Sequence, residues 1–274
     1  MQAKVSALQQ HLRSLGRVLV AYSGGVDSAF LAWQARQALG RDMLAVIADS
    51  PSLARTHLED ALRFAGECDI PVEVIQTEEL ENPDYARNDA QRCFYCKDEL
   101  FTVMEKYRQA HGFDTVAYGV NLDDQGDFRP GQRAAKQHGV AAPLLEAQLT
   151  KKEIRAAAQE AGLRVWDKPA SACLASRIEY GREVTPEALA QVERGEDALR
   201  ELGFRQFRVR HHGQTVRIEI APDELPRALS AEMAARLVPI FKQLGFTYVT
   251  LDLEGFRSGS MNALLPLASL KNGK

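Results

Sequence analysis

The chain has 274 residues, 45% of them hydrophobic, a formal net charge of −3 and four cysteines. That length suits one large domain and one small one, or a single α/β domain with an extension, and so small a charge argues against a broad electrostatic footprint for nucleic acid. Four cysteines are too few for a disulfide scaffold, and no apolar run approaches membrane-spanning length, so a cytoplasmic protein is expected.

The opening residues place Val5, Leu8, Leu12 and Leu15 at helical spacing, unlike the continuous apolar core of a signal peptide. Strand-like runs then alternate with helical ones. The strands are Val18 to Tyr22, Leu44 to Ala48, Val72 to Gln76, Thr115 to Gly119 and Ala142 to Leu145. The helices are Asp27 to Leu39, Ala54 to Cys68, Phe94 to His111, Pro130 to His138 and Lys151 to Glu160, the last capped by Thr150 with Glu153. This alternation predicts a parallel α/β sheet whose ligands bind beyond the carboxyl ends of the strands. The Ser23 loop, Asp49-Ser50 and Asn121 then share one rim.

A second pattern starts near Arg182. It reads helix Pro186 to Leu202, strand Gln206 to His211, a turn at Gly213, strand Val216 to Ile220, helix Ala231 to Leu244 and strand Tyr248 to Leu253. A compact α+β domain is expected from it. Leu202-Gly203-Phe204 and Leu244-Gly245-Phe246 repeat a helix–Gly-Phe–strand unit, which hints at an internal αβ repeat.

Ser23-Gly24-Gly25-Val26-Asp27-Ser28 stands where the first strand turns into a helix. Two glycines let backbone N–H groups approach an anion, the serine hydroxyls add donors, and the helix points its positive end at the same place. The Gly-Lys-Ser/Thr of a Walker A loop is absent. The stretch resembles the PP-loop, S-G-G-x-D-S, of ATP pyrophosphatases, which split ATP into AMP and pyrophosphate. The competing reading is an ordinary strand–helix turn.

Cys93-Phe94-Tyr95-Cys96 is a C-x-x-C, and Cys173 lies far downstream in Ser171-Ala172-Cys173-Leu174-Ala175-Ser176-Arg177. No second C-x-x-C or paired histidines complete a structural zinc set, and no strand directly precedes the pair as a redox dithiol would require. Three thiolates suit a 4Fe–4S cluster with one iron left open, with incidental thiols as the alternative. Cys68 falls on the apolar side of its helix and reads as a small buried hydrophobe.

The S-G-G-x-D-S loop joins two further segments. One is G-x-N-x-D-D-x-x-D-x-R-P-G, here Gly119, Asn121, Asp123, Asp124, Asp127, Arg129, Pro130 and Gly131; the other is K-P-x-x-x-C-L-A-S-R, here Lys168-Pro169 through Cys173 to Arg177. With Gly255-Phe256-Arg257-Ser258-Gly259 they make nearly the whole chain resemble the LarE family of ATP-dependent sulfur-inserting enzymes. The resemblance implies thiolation of a pyridinium biscarboxylate mononucleotide on the way to a nickel-pincer cofactor. In one branch of that family a single cysteine surrenders its sulfur and becomes dehydroalanine. That branch carries its cysteine where this chain has Ala172 and lacks the C-x-x-C. The chain instead matches the branch whose three cysteines, here Cys93, Cys96 and Cys173, hold the cluster that carries sulfide.

The expected fold is therefore a parallel-sheet PP-loop ATP pyrophosphatase domain, adenine nucleotide alpha hydrolase-like, over residues 1–180, followed by a smaller α+β substrate and oligomerisation domain over 181–274. Ser23, Gly24, Gly25, Asp27 and Ser28 are expected to hold ATP with Mg²⁺, Asp27, Ser28 and Cys173 being the catalytic candidates. Substrate anions need cations. Arg208 and Arg210 sit at i and i+2 on one strand face, where two forks reach one anion, although a solvated face competes. Arg257 and the Ser176-Arg177 pair are further candidates, and the resemblance adds Glu196, otherwise a surface helix glutamate. Asp123, Asp124 and Asp127 read equally as metal ligands or as a capped turn. A sulfide donor and a homo-oligomer are expected, and a nucleic-acid partner is not. The rival classes are a tRNA thiolase, an amide-forming adenylating synthetase and a non-catalytic iron–sulfur or zinc module.

Overall fold

The computed structural model describes residues 1–125, 130–169, 172–257 and 260–261. They pack as two compact units: one of Met1–Glu79 with residues 93–169, the other of Leu80–Arg92 with residues 172–261. The second unit thus takes in a strap from the middle of the chain and starts before residue 181. Among the described residues no helix is long and apolar enough to cross a membrane.

The first unit follows the alternation in the sequence. Helix α1 (Gln2–Ser14) leads into β1 (Val18–Ala21), α2 (Val26–Leu39), β2 (Met43–Asp49), α3 (Arg55–Glu67) and β3 (Val72–Gln76). After the strap, which carries the short α4 (Pro83–Ala86), come α5 (Arg92–His111), β4 (Thr115–Tyr118), α6 (Pro130–Gln137), α7 (Pro143–Glu146) and α8 (Lys151–Glu160). The four strands are all parallel in the order β3-β2-β1-β4. Period-two alternation along β1 divides the core. Val18, Val20 and Tyr22 join Leu8, Phe30, Phe64 and Ile154 on one face, while Leu19 and Ala21 join Phe101, Met104 and Ala134 on the other.

The expected strand Ala142 to Leu145 does not form. A single parallel bridge pairs Ala117 with Ala141, and Pro143 then opens a helical turn as its first residue. Proline lacks the N–H a ladder needs and is preset for a helix start, so the apolar run there is core packing without pairing. The capping box at α8 is present in both directions: the Thr150 side chain accepts from the Glu153 N–H, and Glu153 accepts from the Thr150 N–H.

The second unit holds α9 (Pro186–Glu201), β5 (Phe207–His212), β6 (Thr215–Ile220), α10 (Leu225–Ala228), α11 (Ala231–Gln243) and β7 (Tyr248–Leu251). β5 and β6 form an antiparallel hairpin, and β7 returns parallel to β6. The repeated Gly-Phe unit is a repeated helix ending. Gly203 and Gly245 both take positive φ, and the N–H groups of Phe204 and Phe246 reach back to the carbonyls of Leu199 and Phe241. Both phenylalanines are buried, so each ending turns its helix back onto the sheet.

Candidate active site

In the first unit the connections reverse direction between β1 and β4, and such a switch point opens a crevice beyond the carboxyl ends of those strands. The Ser23 loop follows β1, and Gly119 to Asp124 follow β4.

Gly24 has φ of 68°, a left-handed conformation that glycine adopts without cost. Gly25 is the N-cap of α2 and makes no side-chain cap bond, so the first turn of α2 presents its N–H groups to a ligand. The Ser23 and Ser28 hydroxyls lie 3.1 Å apart, and the Ser28 hydroxyl accepts the Ser23 N–H at 3.1 Å. The loop is closed around its own donors, a preformed concavity. Tyr22 fixes its outer wall by donating its hydroxyl to the Ala61 carbonyl at 2.8 Å; burial pushes that phenol well above its usual range, keeping it protonated.

Asp27 lies in the first turn of α2. One carboxylate oxygen, Oδ2, accepts from the ammonium of Lys151, while Oδ1 is buried and has no hydrogen-bond partner among the described residues. A buried orphan acceptor beside a phosphate cradle suits a divalent cation, so the residues present fit Mg²⁺. Lys151 and Lys168 are the cations that sequence reasoning did not single out. The Lys168 ammonium donates to the Gly24 carbonyl at 3.1 Å and pairs with Asp60 at 2.5 Å. Lys168 belongs to the K-P-x-x-x-C-L-A-S-R segment, but its partner is 108 positions away in sequence and no local pattern reveals it.

The rim after β4 is built around close approach. A Cβ on Gly119 would stand 2.8 Å from the backbone nitrogen of Ser28, so only glycine lets β4 run this near the start of α2. Asn121 and Asp124 form a reciprocal capping box, and Asp123 accepts the Lys151 N–H at 2.7 Å. Of the two readings for this segment, Asn121, Asp123 and Asp124 display the capped turn. Asp127 and Arg129 lie outside the described residues, as do Ser258 and Gly259. Asp49 on the same rim is paired with Arg55 at 2.5 Å.

The cysteines fall in both units. Cys93 and Cys96 lie in the first turns of α5, three positions apart and hence on one helix face, Cys93 exposed and Cys96 half-buried. Cys173 belongs to the second unit. It caps a 3₁₀ turn, Leu174–Arg177, and its carbonyl accepts from the Ser176 hydroxyl at 2.7 Å and the Arg177 guanidinium at 2.9 Å. All four cysteines are thiols without disulfides, and within either unit the described residues show no group of three or more His, Cys, Asp and Glu placed for a metal. Cys68 caps α3 and packs against the core; burial raises its thiol above the usual range.

The substrate candidates of the second unit lie in a charge network. Arg177 is 1% exposed and grips Glu196 with two bonds, at 2.9 and 3.3 Å, while its third nitrogen holds the Ala172 and Cys173 carbonyls. Glu196 is thus buried in a pair, and Ser176 is held in the turn. Arg210 donates to the fully buried Glu219 at 2.8 Å and to the Ser260 hydroxyl at 3.0 Å. Arg208 stacks on Phe256 with its guanidinium 5.0 Å from the ring centre. Burial, then the like charges of Arg177 and Arg210, lower it to about 10 against the opposing Glu196 and Glu219. An incoming anion would relieve that burden. Arg257 is more exposed and pairs with Asp252 and Glu254.

Comparison with known proteins places these features. The NAD synthase family model matches residues 1–92. The chain is 44% identical over 97% of its length to an uncharacterized protein of Synechocystis, covering 99% of that protein. It is 36% identical over 97% of its length to the pyridinium-3,5-bisthiocarboxylic acid mononucleotide synthase of Lactiplantibacillus plantarum, covering 96% of it. A tRNA-5-methyluridine(54) 2-sulfurtransferase of Pyrococcus horikoshii is 29% identical over 41% of the chain and 37% of its own length. The cradle at the end of β1 and a likeness that runs through both units agree, and the chain belongs to the LarE family of PP-loop, ATP-dependent sulfurtransferases.

Proposed function

We propose that the enzyme adenylates a carboxylate of a pyridinium-3,5-biscarboxylate mononucleotide and replaces the activated oxygen with sulfur, for a nickel-pincer cofactor. The observation that carries this reading is the loop at the end of β1, where positive-φ Gly24, the paired Ser23 and Ser28 hydroxyls and the uncapped α2 turn support a role in holding the phosphates of ATP. A carboxylate is a poor acylating group because oxide leaves badly. Attack of the substrate carboxylate on the α-phosphorus of ATP forms an acyl-adenylate, and the bond to the β-phosphate breaks with pyrophosphate taking the electron pair. Ser23, Ser28 and the α2 N–H groups hold the departing oxyanions, and Asp27 would hold Mg²⁺, which offsets charge on the phosphates. Sulfide then attacks the acyl carbon, the C–S bond forms, and the C–O bond breaks to expel AMP.

Cys93, Cys96 and Cys173 would hold a 4Fe–4S cluster, the soft thiolate set that suits iron–sulfur chemistry. Such a cluster supplies a carrier for the transferred sulfide. In the second unit the mononucleotide's phosphate and carboxylates would lie against Arg208, Arg210 and Arg257, with Ser176, Arg177 and Glu196 shaping that site. The functional division falls near 180/181, with nucleotide chemistry before it and, apart from Ser176 and Arg177, mononucleotide binding after it. A cytoplasmic homo-oligomer fed by an external sulfide donor completes the reading.

Residues 1–92 also match the NAD synthase family model, and part of the chain resembles a tRNA 2-sulfurtransferase. Likeness to the mononucleotide synthase over 97% of the chain favours a small-molecule substrate and sulfur transfer. The test is anaerobic protein supplied with the biscarboxylate mononucleotide, ATP, Mg²⁺ and sulfide. A product heavier by sulfur-for-oxygen exchange, with AMP and pyrophosphate, is expected. An amide product, or thiolation only of added tRNA, would overturn it. Iron and acid-labile sulfide should reach about four each per chain. Zinc without iron would remove the cluster from the mechanism.

A further inference from the structure

We propose that Lys151 is a phosphate ligand of the bound nucleotide, held on Asp27 until ATP and its divalent ion arrive. The inference rests on the reading of the Ser23 loop as the ATP site and adds a residue to it.

Three observations within the first unit carry it. The Lys151 ammonium pairs with Asp27 Oδ2, on the same carboxylate whose Oδ1 is buried beside the cradle and, among the described residues, unpartnered. Lys151 is also the first residue of α8, so its backbone is held independently of where its ammonium sits. Its N–H is bonded to Asp123, the neighbouring Leu122 N–H is bonded to the Leu149 carbonyl, and Thr150 and Glu153 close the capping box. Finally, the two cations near the loop differ in how they are held. Lys168 bridges the Gly24 carbonyl and Asp60, a fixed brace for the loop. The described partner of the Lys151 ammonium is Asp27.

A carboxylate that receives a divalent ion on one oxygen cannot comfortably keep an ammonium on the other, because like charges at that separation repel. A bound triphosphate offers several new oxyanions next to the loop. Lysine is a point charge on a flexible four-carbon stem, so Lys151 can leave Asp27 and reach those oxygens without moving α8. While nucleotide is absent, Lys151 neutralises Asp27 and opposes cation binding. Once nucleotide is present, Lys151 adds a phosphate contact.

This handover makes two effects of opposite sign. In Lys151→Met, Mn²⁺ alone should bind at least threefold more tightly, read by electron paramagnetic resonance of the free ion. The same variant should bind α,β-methylene-ATP with Mg²⁺ at least tenfold more weakly, read by calorimetry. Lys151→Arg, which keeps the charge, should recover most of the nucleotide affinity, and Lys152→Met on the adjacent exposed position should change neither. Thermal unfolding checks that each variant is folded. Weakening of both ligands by Lys151→Met would mean that the lysine only props Asp27, and would overturn the proposal. Unchanged nucleotide affinity would overturn it alone, leaving the ATP site standing. Failure of the wild-type chain to bind the analogue would overturn both.

Discussion

Gly24 of the Ser23 loop and Ala61 of α3 approach so closely that a Cβ on Gly24 would stand 2.5 Å from the Ala61 methyl. Sterics and a φ of 68° therefore both demand glycine at position 24. Overpacking typically costs ~1–3 kcal/mol, and a left-handed non-glycine residue about 1–2 kcal/mol more. Gly24→Ala should lower the unfolding free energy on that scale and abolish AMP formation. Adding Ala61→Gly relieves the clash but not the backbone strain, so the double variant should regain part of the stability. Full stability and activity in Gly24→Ala would refute this loop geometry.

Arg177 and Glu196 give a second prediction. Both are almost fully buried, and removing one member of such a pair strands the other charge, typically at a cost of about 3–5 kcal/mol. Arg177→Met should shift denaturant unfolding by that order, and Arg177→Met with Glu196→Met should recover much of the loss. Were these two residues substrate ligands without a structural role, the single variant would raise KM and leave unfolding where it was.

Asp60 gives a pH dependence. Burial pushes its carboxyl up, but hydrogen bonds from Lys168 and Arg164 outweigh that and hold it below the ordinary carboxylate range. A folded pKa below the unfolded value of about 3.9 contributes stability that is complete above that pH and lost as pH falls through the folded pKa. Wild type should therefore exceed Asp60→Asn in stability at pH 7, by on the order of 1 kcal/mol for a partly exposed network. The gap should close in acid below about pH 4. A gap that persists in strong acid would show that ionisation is not its source.

Sulfur turnover separates the two branches of the family. If Cys93, Cys96 and Cys173 hold a cluster, anaerobic protein given sulfide and ATP should turn over repeatedly, and the chain mass after cluster removal should be unchanged. A single turnover, with loss of one H₂S at Cys173, would identify a consumed cysteine, which lies off the ordinary thiol oxidation ladder. Cys93→Ser, Cys96→Ser and Cys173→Ser should each lose nearly all the iron while thermal unfolding of the first unit is retained.

Much of this protein is local and hence legible in the chain itself. Short apolar runs point to β1 to β4, helical patterns to α1 to α3, and the Thr150–Glu153 signature to the start of α8, because each depends on residues a few positions apart. The Ser23 to Ser28 stretch is a strand–loop–helix turn for the same reason, and the structure gives Gly24 its left-handed φ there. Ala142 to Leu145 misled because a short apolar run reads alike as strand or buried helical turn, and the proline at 143 decided it.

Charge partnership belongs to the tertiary structure. Lys151 meets Asp27 across 124 positions, Lys168 meets Asp60 across 108, and Arg177 meets Glu196 through packing of a 3₁₀ turn on α9. Composition supplied these cations and carboxylates, but which pairs are desolvated together depends on how strands and helices bring distant segments side by side. That is why Glu196, a surface residue by sequence alone, is a buried counter-ion, and why the lysine proposed to meet the nucleotide carried no sequence signal at all.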